Sequence, residues 1–212
     1  MKHIVEAICT GTARPFNGAE LSAISKRPRE GAVQVLPDGL APDEQADRSV
    51  HGGAEMALHL YPLDHHAWWR GQIGNHAALD EPGGFGSNLA VAGLTEDMVH
   101  IGDRFRLGTS LIEVSQPRQP CWKIDHRFGH KGMVARIVST GRCGWYFRVI
   151  ESGDVTAGDS LERVAIGAAE WSVARVFQAL VAGKATLEEL AALANLAPLS
   201  PELRAKAAVK RK

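Results

Sequence analysis

Hydrophobic and polar positions alternate in short runs along the first three quarters of the chain. HIVEAICT (3–10) reads as a first strand, because a period of two sends successive side chains to opposite faces. AELSAISKRP is a second extended segment ending at Pro28, and AVQVLP (32–37) alternates again before the polar turn region DGLAPDEQAD. ALHLYP (57–62) is a short strand, followed by the helical candidate LDHHAWWRGQIG with Asp64 near its N-terminus. EPGGFGSNLAVAG (81–93) reads as loop punctuated by a short strand. FRLGTSLIEVSQP (105–117) predicts a hairpin about Gly108-Thr109. GWYFRVIESGDVTAGDSLERV (144–164) predicts another, with Ser-Gly-Asp as its turn. Many short strands with frequent Gly and Pro turns point to a mainly β fold with a barrel-like core.

The period changes after Gly167. Trp171, Ala174, Val176, Phe177, Leu180 and Val181 fall near one helical face, and Gly183-Lys184 is a stop. Thr186-x-x-Glu189 is a capping-box pattern opening a second helix, with Leu187, Leu190, Ala191 and Leu193 as its apolar face. Pro198 ends that helix, and Ser200-Pro201-Glu202 opens a third with proline at its first position. The expected organisation is a β-barrel over residues 1–167 and a small three-helix domain over 168–212. The last residues, KAAVKRK, are basic and read as a solvated tail.

Composition narrows the class. A chain of 212 residues can bury a core without staples, and its formal net charge of zero provides no global field for nucleic acid. No apolar run reaches the length of a membrane span, and the start lacks the apolar core of a signal peptide. The three cysteines, Cys9, Cys121 and Cys143, have no C-x-x-C spacing, which argues against a disulfide framework. The expected compartment is the reducing cytoplasm.

Local charge is uneven. Nine cations lie between Arg104 and Arg148, opposed in that segment only by Glu113 and Asp125, and Lys26, Arg27 and Arg29 form a second cluster. If the clusters meet across the barrel they make a cationic pocket suited to a phosphate-bearing ligand. A solvated surface is the alternative. Cys121 sits within the larger cluster, in SQPRQPCWKI, between Pro117-Arg118 and Lys123. Nearby cations favour the thiolate, the form that attacks or binds metal, and the prolines restrict the backbone; a buried inert cysteine remains the other reading. Cys9, on an apolar strand, and Cys143, in a Gly-Arg-Cys-Gly turn, read as structural.

The histidines make a weak case for zinc, since no pair has helical H-x-x-x-H spacing. His51 follows Asp47 and precedes Gly52-Gly53, whose backbone can approach a ligand closely, or it is a surface-turn histidine. Lys26-Arg27-Pro28 and Phe85-Gly86-Ser87-Asn88-Leu89 are ambiguous alone, and the chain has no Walker A or dinucleotide fingerprint.

Taken together, SKRP, GLAPDEQADRSVHGG, LYP, PGGFGSNLAVAGL, VHIGDRFRLG, VSQPRQPCWKI and GRCGWYFRV follow one order across residues 25–149. That ordered set resembles the MOSC family, named for the C-terminal domain of molybdenum cofactor sulfurase. It is most similar to the YiiM-like bacterial branch, whose members carry three helices after the barrel. The resemblance implies a MOSC-type β-barrel with a few short helices that binds the molybdenum cofactor, a molybdopterin. It makes Cys121 the molybdenum ligand. It also implies cofactor-lining roles for Lys26, Asp47, His51, Gly52, Gly53, Phe85, Asn88, Leu89, Arg118 and Lys123. The chain departs from the family pattern at Pro42, Ser87 and Ala90.

The activity implied is reduction of N-hydroxylated compounds, N-hydroxylated purine bases among them, with His51 or a metal-bound water supplying a proton. No flavin, iron–sulfur or nicotinamide motif is present, so a separate electron-donor protein is expected, a flavin or iron–sulfur reductase. Neither membrane nor nucleic acid is an expected partner. The helical segment is read as serving packing, homodimerisation or donor docking. Rival readings are a cofactor carrier or sulfur-handling protein without turnover, a metal-free cysteine enzyme activated by His51 or His126, and a nucleic-acid binder.

Overall fold

The computed structural model describes residues 1–46 and 52–210. Its strands are β1 (Lys2–Thr10), β2 (Arg14–Asn17), β3 (Glu20–Ser22), β4 (Arg27–Pro28), β5 (Val33–Leu36), β6 (Gly39–Leu40) and β7 (Leu58–Pro62), then β8 (Leu89–Val91), β9 (Arg104–Leu107), β10 (Ser110–Pro117), β11 (Trp145–Glu151), β12 (Gly153–Val155) and β13 (Ser160–Ala165). The helices are α1 (Asp64–Ile73), α2 (Ala77–Asp80), α3 (Lys123–Arg127), α4 (Met133–Thr140), α5 (Val173–Leu180), α6 (Leu187–Ala194) and α7 (Pro201–Lys210), with one 3₁₀ turn at Ala54–Met56.

Seven strands close a ring in the order β13-β9-β10-β11-β7-β8-β1, because β1 pairs with both β8 and β13. Closure removes unpaired edges. Most neighbours are antiparallel; β7 and β8 run parallel, and α1 and α2 supply the long crossover such a pair requires. The β9–β10 hairpin turns at Gly108-Thr109 as its alternation predicts. Gly108 has φ +54, and a Cβ there would lie 2.2 Å from Asp154 O, so both backbone sign and space call for glycine.

The second predicted hairpin does not form. β11 pairs with β10 and β7, whereas β12 joins β5 and β13 joins β9 and β1. The Ser-Gly-Asp punctuation is real, but the chain leaves one neighbour there rather than folding back on it. Helices α2, α3 and α4 lie in segments to which the sequence reading assigns no element.

At the C-terminus α5, α6 and α7 follow the predicted starts. Thr186 and Glu189 make both hydrogen bonds of the capping box. Leu190 and Leu193 are buried, but Leu187, assigned to the same face, is 69% exposed. Trp171, Val176, Phe177, Leu199 and Leu203 belong to the same core cluster as the barrel residues Phe105, Trp145 and Phe147. Among the described residues no helix is long and apolar enough to cross a membrane.

Candidate functional site

One cleft gathers residues from distant parts of the chain. Lys26, Gly52, Phe85, Asn88, Arg118, Cys121 and Lys123 line it, together with Asp43, Met56, His59 and Tyr146. Gly53 and Leu89 are not among its lining residues. Leu89 is fully buried on β8, where it pairs with Ile8 and Leu60. Asp47 and His51 lie outside the described residues.

The cleft's positive charge is built in, not borne on loose side chains. Lys26, Arg118 and Lys123 are all buried, at 7%, 5% and 6% exposure. Lys26 forms an ion pair with Asp43. Asp43 Oδ2 also accepts from Asn88 Nδ2 at 2.8 Å, and its Oδ1 accepts from Gly11 N at 2.8 Å. Asn88 in turn donates to Cys9 O at 3.2 Å and accepts from His59 N at 3.0 Å, tying β1 to β7. Burial lowers the proton affinity of Lys26, and the nearby Asp43 opposes that shift. Lys123 Nζ lies 3.3 Å from Glu20 Oε1 on β3. Arg118 leaves Nη1 buried without a hydrogen-bond partner, which is costly unless a ligand accepts from it.

Cys121 is half-buried on the same wall, just after β10. The ladder between β10 and β11 shifts register between Val114 and Gln116, a bulge of the kind that re-aims a strand end. Ser115 at that shift donates to Glu55 O at 2.6 Å. Arg118 N then donates to Gly144 O at 3.0 Å, fixing the start of the cysteine loop against β11. The other two cysteines are fully buried: burial pushes the Cys9 thiol up to about 12 and the Cys143 thiol well above its ordinary range.

Sequence reasoning did not single out Asp43, His59 or Tyr146. Asp43 stands in the GLAPD motif, but nothing local announces that it pairs with Lys26. His59 is inward-facing on a strand that reads only as apolar. Burial, followed by Arg118, holds its imidazolium form well below the usual range, so His59 lines the cleft neutral. His126 is engaged elsewhere: its Nε2 lies 2.8 Å from Phe16 O, and its ring packs on Phe16 and Trp122.

The basic segment divides in space. Arg104 pairs with Glu113, Arg106 with Glu151, and Arg148 with Glu55 and Glu113. Arg27 and Arg127 share Glu81. Only part of the charge therefore reaches the cleft; Arg104, Arg106, Arg127 and Arg148 are paired with Glu55, Glu81, Glu113 and Glu151, and Arg142 lies over the Trp68 ring. Among the described residues, no cluster of three or more His, Cys, Asp or Glu is arranged to hold a metal ion by itself.

A closed barrel with a sulfur and three buried cations on one cleft defines a class: a scaffold fitted for an anionic ligand beside a soft donor atom. The chain belongs to the MOSC family, in its YiiM-like branch. The MOSC domain model matches residues 47–162 and the YiiM-like 3-alpha helix domain model matches 171–210. Protein YiiM of Escherichia coli (strain K12) is 40% identical over 157 residues, covering 74% of this chain and 70% of that one. A protein of Gibberella moniliformis named Reductase is 36% identical over 182 residues; the match covers 85% of this chain but 32% of that protein. The crystal structure of YiiM from Geobacillus stearothermophilus superposes with a TM-score of 0.83 at 28% identity, covering 99% of this chain and all of that one.

Proposed function

We propose that the protein is a molybdenum-cofactor-dependent oxidoreductase that reduces N-hydroxylated compounds, N-hydroxylated purine bases among them. The observation that carries this reading is the sulfur of Cys121 on a cleft that also holds a buried guanidinium nitrogen of Arg118 without a partner. Membership of the MOSC family supports the cofactor, and the fungal relative named Reductase supports the direction of the chemistry.

The residues fit the group. A thiolate is a soft ligand suited to molybdenum, and an orphan guanidinium N–H suits an acceptor-rich anion. Cys121 would ligate the metal. Lys26, Arg118 and Lys123 would hold the anionic end of the pterin, while Gly52, Phe85 and Asn88 shape the walls. Bound there, the cofactor supplies a two-electron redox centre.

The overall conversion takes R–NH–OH, two electrons and two protons to R–NH₂ and water, breaking the N–O bond. This chain's part is to hold, orient and keep the reacting face dry. Neutral His59 lines the cleft as a hydrogen-bonding group rather than a cationic acid, and His51 is the proposed proton source. The two electrons are proposed to come from a separate flavin or iron–sulfur protein in the cytoplasm, since the sequence has no motif for either group.

The test is molybdenum and pterin content after expression in a host that makes the cofactor, beside Cys121→Ala. Near-stoichiometric metal that falls in the variant supports the ligand assignment. Reduction of an N-hydroxylated base with a chemical donor such as reduced viologen supports the activity. Bound pterin with no reduction by any donor would replace this reading with a carrier.

A further inference from the structure

Cys121 stands at the boundary of two cavities. Besides the cationic cleft, it lines a second space with Met56, Gln116, Gln119, Tyr146 and Glu202. Met56, Cys121 and Tyr146 face both spaces and form the wall between them. The two sides differ in charge. The cleft carries Lys26, Arg118 and Lys123 against Asp43 and Glu44, whereas no lysine or arginine is among the described residues lining the second cavity. That cavity presents one carboxylate, from Glu202, and the amides of Gln116 and Gln119.

Its outer wall comes from the C-terminal helical segment and is fixed in place. Lys206 Nζ donates to Gln119 Oε1 at 2.7 Å, and Gln119 Nε2 donates to Glu202 Oε1 at 3.4 Å. Both ends of the Gln119 amide, two residues before Cys121, are thus held by α7. Ser200 N donates to Ser115 O at 3.1 Å and Arg148 Nη2 to Pro198 O at 2.7 Å, anchoring the start of α7 to the barrel. Leu203 and Ala207 of α7 are buried, while Glu202, which lines the cavity, is exposed.

We infer that this second cavity is the substrate chamber, bounded on one side by Glu202 of α7, and that Glu202 makes it select small neutral or cationic molecules bearing N–H donors over anionic ones. The inference rests on the proposed reductase reading for its chemistry. A cofactor on the cationic side leaves this side of Cys121 for the second reactant. A ligand N–H gains a charge-assisted hydrogen bond from the carboxylate, and a ligand anion meets a like charge. The helical segment therefore has a specificity role besides packing.

The experiment uses full-length protein from a host unable to make the cofactor. Cys121 is modified with size-matched cationic and anionic methanethiosulfonates; Cys9 and Cys143 are buried, and Cys121→Ala gives the background. Reversing the charge in Glu202→Lys is expected to lower the cationic-to-anionic rate ratio about tenfold, with Glu202→Gln intermediate. Glu188→Lys, at an exposed position on α6, makes the same change in net charge at a residue outside the cavity lining and is expected to leave the ratio within about twofold. An unchanged ratio in Glu202→Lys, or an equal shift in Glu188→Lys, overturns the chamber assignment. With loaded enzyme, a neutral, cationic and anionic series of one N-hydroxylated ring should then change its KM order in Glu202→Lys at similar kcat. If no substrate is reduced but the labelling ratio still moves, the chamber stands and the reductase reading falls.

Discussion

Asn88 holds Asp43 in place at the back of the cleft: its Nδ2 donates to Asp43 Oδ2 at 2.8 Å, the same oxygen that takes the ammonium of Lys26. A residue ahead of β8 thereby sets where a positive charge from the segment before β4 can sit. Gly11 N occupies the other carboxylate oxygen, so among the described residues the Asp43 carboxylate is a hub for Lys26, Asn88 and Gly11.

The hub should matter more to the fold than the charge it holds. Asp43→Ala strands a buried ammonium and two donors, and is expected to cost about 3–5 kcal/mol of unfolding free energy. Lys26→Met leaves Asp43 with its two neutral donors and should cost less. Urea unfolding of the two variants checks the order; equal losses would mean that Asn88 and Gly11 contribute nothing.

Lys26 also predicts an alkaline effect. Burial lowers its proton affinity from the ordinary 10.5. The unfolded chain therefore binds that proton more tightly, and unfolding free energy rises with pH between the lowered native value and 10.5. Over the same window the cleft loses a cation. Affinity for inorganic phosphate should fall there in the wild type and stay flat in Lys26→Arg, as calorimetry across that range can show.

Acid should act through the buried histidines. Burial is the first cause holding both His59 and His66 below 6.5. As pH falls below 6.5 the unfolded imidazoles take up protons that the native ones refuse, so stability is lost toward acid. His59→Gln should remove one proton's contribution, about 1.4 kcal/mol per pH unit within the window. Denaturant midpoints between pH 7 and 5 test the slope.

Glu96 joins His65 of α1 to Gly144, the residue before β11. His65 Nε2 lies 2.8 Å from its Oε2, and Gly144 N donates to its Oε1 at 2.7 Å. Glu96→Ala breaks a buried pair and is expected to cost about 3–5 kcal/mol, with Glu96→Gln milder because it keeps an acceptor for Gly144. Gly144→Ala should also destabilise, since φ is +69 and a Cβ would sit 2.4 Å from Leu60 O. Both changes disturb the carbonyl that receives Arg118 N, so phosphate affinity should fall with stability in each.

Much of this was legible in the chain. Alternation marked β1, β5 and the β9–β10 hairpin, because successive side chains of a strand point to opposite faces; the short run ALHLYP marked β7, which is buried throughout. The period near 3.6, the Thr186–Glu189 cap and Pro201 marked the three final helices, because helix ends need specific partners for their free N–H groups. The ordered motifs placed Lys26, Phe85, Asn88, Arg118, Cys121 and Lys123 on one list before their positions in space were known.

Other features depend on neighbours distant in sequence. Whether Ser152-Gly153-Asp154 makes a hairpin depends on whether β5 offers β12 a better edge, and it does. Which arginines serve the cleft depends on Glu55, Glu81 and Glu151, distant in sequence from Arg148, Arg127 and Arg106, with which they pair. Local sequence by itself determined β1, β5, the β9–β10 hairpin, the Thr186–Glu189 cap and the placing of Cys121 directly after Pro120, since these follow from forces acting over a few residues. Only the tertiary structure decided that Asp43 meets Lys26, that Arg118 keeps an unpartnered nitrogen, and that Glu202 reaches the far side of Cys121, since barrel closure and burial act between residues far apart in the chain.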